Sequence, residues 1–230
     1  MIVSINQPAY LPWIGYFHRI AQADVHIVLD HVQFEKNSFT NRNKVRTAQG
    51  WTWLTVPVAT KGHFGDLPIN KLQIARDERW RSKHWQTIRF NYSRSPHFGE
   101  YSAFFEETYS SEWGRLDDLM EHINTYVLRH ALRIPTRIVR SSELSVTGTK
   151  SELVLNLCRA VGADTYLSGP LGRDYLDELH FRDAGITIRY HDYVHPVYPQ
   201  IHGGFEPYMA IIDLLFNCGT RSAAIMGAIN

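Results

Sequence analysis

The chain has 230 residues, of which 44% are hydrophobic and 20% are charged, and its formal net charge is +1. This length suits one large or two small globular domains, and a charge so close to zero gives no whole-protein field for nucleic acid or an anionic membrane. No apolar run approaches the roughly 20 residues of a transmembrane helix, and no secretory signal pattern opens the chain, so we expect a cytoplasmic protein without membrane insertion.

The first elements are two strands with a helix between them. The apolar runs 2–5 and 25–29 predict the strands, and the pattern over 14–20 predicts the helix. Further strands are predicted near residues 137, 164 and 186, with helical patterns between them. Strands that alternate with helices favour a parallel sheet with right-handed crossovers. We therefore predict an α/β fold with a Rossmann-like, mostly parallel sheet and helices on both faces.

A hairpin and a helical segment interrupt this alternation over about residues 44–134. Alternating polar and apolar residues on both sides of the turn 48–50 predict the hairpin. Apolar residues at helical spacing then predict three helices, near residues 77–92, 99–109 and 112–132. We interpret this segment as a lid inserted into a single α/β domain that spans residues 1–230.

Three more helices are predicted after the insert. Thr149 and Glu152 fit a capping box that opens a helix ending near Val161. A shorter helix is predicted over about 175–184, before the last strand. The final helix is predicted over 205–217, and its largely apolar surface leaves a homodimer open.

The loop that follows the first strand is the first candidate site. Loops at the carboxyl ends of parallel strands share one edge of the sheet, and open α/β sheets bind ligands there. Gln7, Tyr10 and Trp13 lie in this loop and Tyr16 in the next turn, and all are suited to binding a base or a sugar. The following helix N-terminus can bind an anion. Gln7 could instead cap that helix.

The loop after the second strand is the second candidate. Arg42 suits bidentate binding of phosphate or carboxylate, and Lys36 adds a point charge. Gln33 and Asn41 are further polar candidates for substrate binding. Asp30 directly follows a buried strand, where an acid needs a partner. Its role stays open between binding a ribose hydroxyl, acting as a base and pairing with Arg42.

The third candidate is the loop 168–175, which follows the strand near residue 164. The small residues Ser168, Gly169 and Gly172 permit close approach to a backbone that can form an anion nest, and Arg173 adds a cation. The loop lacks the GxxxxGK[ST] pattern of a Walker A loop.

The fourth candidate is the polar stretch 193–206. Tyr198 and Gln200 are candidates for substrate binding. His195 or His202 could act as a general base, because a neutral imidazole accepts protons near pH 7.

Neither the cysteines nor the histidines form a recognisable metal motif. Cys158 and Cys218 lie in apolar helical patterns without a CxxC pair, so we interpret them as buried free thiols. No HxxxH or HExxH helix is present, and the sequence predicts no metal site.

Several motifs along the chain carry a family resemblance: Gln7-Pro8-x-Tyr10-Leu11-Pro12, Leu29-Asp30-x-Val32-Gln33-Phe34, Asn41-Arg42, Trp53-Leu54-Thr55-Val56-Pro57, Tyr166-Leu167-Ser168-Gly169, Tyr198-Pro199-Gln200 and Asp213-Leu214-Leu215-Phe216-Asn217. Together they resemble the WbqC-like family, whose members are encoded among bacterial surface-polysaccharide and O-antigen genes. The resemblance implies a part in polysaccharide (lipopolysaccharide) precursor synthesis, with a nucleotide-linked sugar as substrate. Many members begin with His-Gln-Pro where this chain has Asn6-Gln7-Pro8.

A looser resemblance concerns the opening of the chain. Leu11-x-x-x-Gly15-x-Phe17 and the following Ala23-Asp24-Val25 are similar to the opening of pantothenate-synthetase-type nucleotidyltransferases. That resemblance implies a Rossmann-like sheet and a nucleotide site. Those enzymes bind ATP with two histidines that flank a glycine, and Trp13 and Tyr16 stand in these positions here.

We therefore expect a transferase that passes an acyl or aminoacyl group to the amine of a nucleotide-linked sugar. Arg42, Lys36 and the loop from Gly169 to Arg173 would hold the diphosphate, and Asp30 or His195 would take a proton from the amine. No cofactor is identified, and the co-reactant stays open between an acyl thioester and ATP. The alternatives are an ATP-dependent nucleotidyltransferase or ligase and a non-catalytic sugar-nucleotide binding or scaffold protein.

Overall fold

The computed structural model describes residues 1–62, 65–77 and 79–228. Seven strands lie in this part of the chain: β1 (Ile2–Asn6), β2 (Val25–Val28), β3 (Arg42–Thr47), β4 (Gly50–Thr55), β5 (Arg137–Arg140), β6 (Thr165–Ser168) and β7 (Thr187–Tyr190). Eight α-helices accompany them: α1 (Ile14–Ala21), α2 (Arg79–Tyr92), α3 (Phe98–Ser110), α4 (Leu116–Tyr126), α5 (Lys150–Ala160), α6 (Glu178–Asp183), α7 (Ile211–Cys218) and α8 (Ser222–Met226).

Five of the strands form a parallel sheet in the order β5-β2-β1-β6-β7, and β3 pairs with β4 in an antiparallel hairpin. The predicted Rossmann-like α/β fold is confirmed. The strand order changes direction between β1 and β6, so the carboxyl ends of these strands flank the topological switch point. The hairpin and the helices α2, α3 and α4 lie between β2 and β5 in the chain.

The two faces of the sheet contact different helices. Val3, Ile5, Val25 and Ile27 form an apolar cluster with residues of α5 and α6. The opposite face lies towards α1 and α4, whose apolar residues belong to a larger cluster shared with the insert and α7. No helix in the described residues is long and apolar enough to span a membrane.

The prediction of a helix over 205–217 is wrong at its start, because α7 begins only at Ile211. Pro207 lacks a backbone N–H, and Tyr208 has a φ of 60° in the left-handed region, so the preceding segment cannot continue a helix. Ala210 instead forms an isolated β-bridge with Trp13. This bridge ties the start of α7 to the loop after β1.

Two other helix starts also differ from their prediction. Thr149 precedes α5, but its side chain makes no capping hydrogen bond, and Lys150 has a φ of 49°. The predicted capping box is therefore absent. The helix predicted over about 175–184 is shortened to α6, because the carboxylate of Asp177 accepts the His180 N–H and sets the start of the helix there.

Both cysteines are buried free thiols, as predicted. Burial raises the pKa of the Cys158 thiol to about 12, so this sulfur stays protonated at neutral pH.

Candidate functional site

A cavity of about 500 Å³ lies at the switch point, where β1 ends, α1 begins and the chain leaves β6 and β7. We call it the switch-point cavity. Three residues that were predicted as binding groups line it, namely Gln7, Trp13 and Tyr16. Its other lining residues include Asn6, Arg19, Phe39, Leu171 and His191.

Arg19 brings a positive charge to this cavity. Its guanidinium donates one long hydrogen bond, of 3.4 Å, to the carbonyl of Ile5. No carboxylate in the described part of the chain forms an ion pair with it. A Cβ added at Gly169 would lie 2.2 Å from Arg19 Nη1, so glycine at this position lets the guanidinium rest against the β6 loop. Burial lowers the pKa of Arg19, because a cation loses hydration there.

Asn6 and His191 add polar groups on either side of Arg19. The Asn6 side chain is 9% exposed, and its Nδ2 has no hydrogen-bond partner within residues 1–62, 65–77 and 79–228. His191 Nε2 lies 2.7 Å from His18 Nδ1. Burial, together with the neighbouring His18 and Arg19, lowers the pKa of His191 to about 4. The two imidazoles are therefore neutral at pH 7 and are joined by one hydrogen bond.

Trp13 forms the aromatic wall of the cavity. A Cβ added at Gly15 would lie 2.1 Å from the indole, so glycine is needed where the ring lies over α1. The indole stacks on His195, with ring centroids 6.0 Å apart and an interplanar angle of 9°. His195 Nδ1 donates to the Pro196 carbonyl at 2.8 Å, and Nε2 accepts the Tyr208 N–H at 3.2 Å. Both ring nitrogens of His195 are thus occupied, and it contributes to the cavity through Trp13.

Asp30 is fully buried and lies outside the switch-point cavity. Its carboxylate accepts hydrogen bonds from Ser141 Oγ at 2.8 Å and from both the N–H and the hydroxyl of Ser142 at 2.9 and 2.7 Å. Arg140 Nε donates to it at 3.0 Å. Burial opposes the charge, but these hydrogen bonds and Arg140 outweigh it and lower the pKa of Asp30. The ion-pair partner is therefore Arg140, and of the three roles that the sequence left open for Asp30, the pairing with Arg42 is wrong.

The cationic residues of the second loop lie at the base of the hairpin. Lys36, Asn41 and Arg42 line a separate hollow of about 380 Å³. Arg42 donates to the Asn37 carbonyl at 2.6 Å, and its guanidinium lies 4.3 Å from the ring centroid of Trp53. The Asn41 amide donates to the Val56 carbonyl at 2.9 Å.

The side chain of Gln33 fastens the second loop to the insert. Its Oε1 accepts the Leu67 N–H at 2.8 Å, and its Nε2 donates to the Phe34 carbonyl at 3.0 Å. Both ends of the amide are thus engaged with backbone, away from the switch-point cavity.

The loop after β6 reaches the cavity through Pro170 and Leu171. The Ser168 hydroxyl donates to the Gly169 carbonyl at 3.0 Å, and a Cβ added at Gly172 would lie 2.0 Å from this hydroxyl. Gly172 therefore permits close packing inside the loop. The Arg173 guanidinium pairs with Asp192 at 2.8 Å on the surface and does not line the cavity.

Tyr10 connects the first loop to the helical insert. It is wholly buried, and its hydroxyl lies 2.9 Å from His84 Nδ1 and 2.5 Å from the Tyr109 hydroxyl. Burial and the neighbouring Tyr109 raise the pKa of Tyr10 well above its usual value. The Tyr10 hydroxyl therefore forms its hydrogen bonds with buried residues of the insert and does not reach the cavity.

Tyr198 and Gln200 instead surround the buried carboxylate of Asp213 on α7. The Tyr198 hydroxyl donates to Asp213 at 2.9 Å, and the Gln200 amide donates at 2.7 Å. His202 lies beside Arg46 of the hairpin, away from the switch-point cavity. The stretch 193–206 thus reaches the cavity through the ring contacts of Tyr193 and His195 with Trp13.

The sequence reasoning missed Asn6, Arg19 and His191. One signal was available, because Tyr16 and Arg19 are three residues apart and hence share a face of the predicted helix. Nothing local in the sequence marks Asn6 as unpartnered or brings His191 beside His18. The contact of His191 with His18 depends on where β7 lies in the sheet.

The comparisons with known proteins agree over nearly the whole chain. The profile of the WbqC-like protein family matches residues 7–225. The uncharacterized protein Rv1507c of Mycobacterium tuberculosis is 37% identical over 221 residues, which cover 96% of this chain and 95% of that protein. No solved structure matches significantly. The chain belongs to the WbqC-like protein family.

Proposed function

We propose that the chain is a transferase that binds a nucleotide-linked sugar and passes an acyl or aminoacyl group to the sugar amine, in the synthesis of surface-polysaccharide precursors. The family resemblance supports the substrate class. The geometry supports the place of binding, which is the switch-point cavity.

The observation that carries the proposal is a cation without a carboxylate partner beside an amide donor without an acceptor. The Arg19 guanidinium has no carboxylate partner among the described residues, and Asn6 Nδ2 has no hydrogen-bond partner there. The N-terminal turn of α1 adds the positive end of a helix dipole. A diphosphate would supply the missing acceptors and the missing negative charge. Hydrogen bonds to charged groups contribute about 1.5–3 kcal/mol each.

The remaining walls suit the rest of a nucleotide. The cavity volume of about 500 Å³ lies within the range of small-molecule sites. Trp13, Tyr16 and Phe39 offer aromatic surface for a base or a sugar. Gln7 is exposed at the mouth and can donate and accept hydrogen bonds.

The same donors would also hold a triphosphate, which keeps an ATP-dependent nucleotidyltransferase or ligase as the second candidate. Trp13 and Tyr16 occupy the positions of two ATP-binding histidines in the resemblance above, and both line this cavity. Stacking by these rings would replace the imidazole contacts.

A thermal-shift screen against nucleoside diphosphates, nucleoside triphosphates and nucleotide-linked sugars tests the proposal. A ligand that binds only the folded state stabilises it by about 2.7 kcal/mol at a hundredfold excess over Kd. We expect a rise in Tm with nucleotide-linked amino sugars, and a rise with ATP alone would favour the ligase. No rise with any of these compounds contradicts both.

A matched pair of variants locates the binding. Arg19→Met should weaken nucleotide binding at least tenfold, because the cation at the cavity is lost. Arg159→Met removes the same charge from an exposed position on α5 and should leave Kd unchanged. Equal affinities for the two variants would place the nucleotide elsewhere. Nucleotide binding should also raise the pKa of His191 in wild type, which ring-proton NMR can follow.

A further inference from the structure

A second, smaller cavity lies between α1 and α4, over the carboxyl half of β2. Its volume is about 250 Å³. We call it the α1–α4 cavity. Pro8 and Tyr16 line both this cavity and the switch-point cavity, so the two are neighbours with a common wall.

His26 forms the floor of the α1–α4 cavity. Its side chain is 1% exposed and belongs to β2. Ser4 Oγ on β1 lies 2.8 Å from His26 Nδ1, whereas Nε2 has no hydrogen-bond partner in the described part of the chain. Burial, helped by Arg19, lowers the pKa of His26 to about 3. The ring is therefore neutral at pH 7 and presents one unused nitrogen in a cavity wall.

Asn124 adds a second unused polar atom. Its Nδ2 donates to the Ala9 carbonyl at 3.2 Å, which fixes the amide, and its buried Oδ1 has no partner within the described ranges. A carbonyl oxygen only accepts hydrogen bonds. The cavity therefore needs a donor at this point.

Three carboxylates, of Asp117, Glu121 and Glu143, line this cavity together with two cations, Arg129 and Arg140. The guanidinium of Arg140 is shared by Asp30, Asp117 and Glu121, with the Glu121 contact at 3.0 Å. Crowding by Asp30 and Glu121 adds to burial and raises the pKa of Asp117. No group of His, Cys, Asp and Glu in the described residues is arranged to hold a metal ion. The excess negative charge thus favours an organic cation.

We propose that the α1–α4 cavity binds a primary amine, carried by a molecule of about the size of a monosaccharide or an amino acid. An ammonium group supplies three donors and one positive charge. It would meet three acceptors: Asn124 Oδ1, the carboxylate of Glu121, and His26 Nε2 in the tautomer whose Nδ1–H donates to Ser4 Oγ. A hydroxyl in its place would leave the carboxylate excess unbalanced.

Two sources of this amine fit the geometry. The first is the amino sugar of a nucleotide-linked substrate that crosses the common wall at Pro8 and Tyr16, and this source rests on the proposed function. The second is a free amino acid bound as a separate substrate. Both place an amine beside His26.

Titration calorimetry with glucosamine and glucose tests the proposal, because the two probes differ only in the amine. We expect the full chain to bind glucosamine at least tenfold more tightly than glucose. Glu121→Gln should reduce that ratio at least threefold, since one carboxylate is lost. Asp118→Asn removes the same charge from the same helix, at a residue that pairs with Arg115 outside the cavity, and should keep the ratio.

Asn124→Leu provides a second variant, which removes the free acceptor itself. Melting curves of each variant confirm that it is folded before binding is compared. The glucosamine and glucose probes carry no phosphate, so failure of nucleotide binding in the thermal-shift screen and failure of amine selection are separate results.

Glycine and glycolate form a second pair of probes for the free amino acid. Preference for glucosamine alone supports the amino sugar, and preference for glycine supports the separate substrate. Equal binding of amine and hydroxyl compounds in both pairs overturns the proposal. So does a preference that Glu121→Gln and Asn124→Leu leave intact.

Discussion

The two faces of the central sheet use the same strands in different ways. Towards α5 and α6, β1 and β2 present Val3, Ile5, Val25 and Ile27. Towards α1 and α4, the same strands present Ser4, Asn6 and His26. An apolar face stabilises the fold by burial, whereas buried polar groups cost free energy unless they are hydrogen-bonded. Both proposed binding cavities lie on the α1 side of the sheet, whereas the α5 side is apolar.

The free-energy cost of the polar face comes from individual buried atoms that lack a hydrogen-bond partner. Asn6 Nδ2, His26 Nε2 and Asn124 Oδ1 are buried without partners in the described residues. Each such group costs about 1–3 kcal/mol. A bound ligand that forms hydrogen bonds with these atoms would recover this free energy. Substitutions on the apolar face should therefore change the free energy of unfolding, and substitutions on the polar face should change Kd.

Phe181→Ala, on the side of the sheet that faces α5 and α6, should have the largest effect on the free energy of unfolding. Phe181 is fully buried between α6 and the sheet. Loss of a buried phenyl ring destabilises a protein by about 3–5 kcal/mol through lost burial and the cavity left behind. Denaturant unfolding measures this loss, while Kd for nucleotide stays as in wild type at temperatures where the variant is folded. A weakened Kd in the folded variant would mean that the two faces are coupled.

Asp30→Asn should destabilise the chain by about 3 kcal/mol. The substitution leaves Arg140 with one carboxylate fewer and disrupts the hydrogen bonds from Ser141 and Ser142. Arg140 keeps Asp117 and Glu121 as partners, so the cost comes mainly from the buried hydrogen bonds that the amide nitrogen of asparagine cannot accept. Urea unfolding tests this, with Asp118→Asn at a half-buried residue as control. Unchanged stability together with lost turnover would restore the hypothesis that Asp30 is a catalytic base.

His26→Leu should make the chain less sensitive to acid. The pKa of His26 is about 3 in the folded chain and near 6.5 when unfolded, so below pH 6.5 the unfolded state binds a proton that the folded state does not. Wild type therefore loses stability as pH falls from 6.5 towards 3. From this residue alone, the loss between pH 7 and pH 5 is about 2 kcal/mol.

The variant should lack that part of the decline, because leucine does not titrate. Unfolding curves at pH 7 and pH 5 give the difference, and the other histidines contribute equally to both proteins. Parallel curves for wild type and variant would show that His26 is accessible to protons in the folded state.

The sheet could be predicted from the sequence because the signals that predict its strands are local. Each strand is a short apolar run, and alternation with helices implies parallel pairing. The prediction failed over 205–210, where the apolar pattern resembles a helix but Pro207 and the bridge from Ala210 to Trp13 hold the chain in another conformation. There a tertiary contact determined the structure.

The site was predictable only where its residues adjoin a strand end. Gln7 follows β1 directly, and Trp13 and Tyr16 begin the next helix, so topology alone places them at the edge. Arg140 meets Asp30 across 110 residues, and no local pattern distinguishes it from Arg42 as a partner. Tyr10 lies in the right loop, but the direction of its side chain depends on the helical insert.

Gly169→Ala should have the smallest effect on stability, and it tests most directly whether the position of Arg19 determines anion affinity. The added Cβ would lie 2.2 Å from Arg19 Nη1, so the guanidinium must move. The far end of a flexible side chain moves cheaply, and we therefore expect Tm to stay within about 2 °C of wild type. The anion site is expected to weaken about threefold, because its cation is displaced but still present.

Gly114→Ala is the control, since an added Cβ there meets nothing within 4 Å. Titration of nucleotide into both variants compares the two positions. A threefold loss at residue 169 but not at 114 would mean that the position of the Arg19 charge determines affinity. Equal Kd values would contradict a contact between the phosphate and Arg19, and the proposed role of this face in binding would then depend on His26 and Asn124.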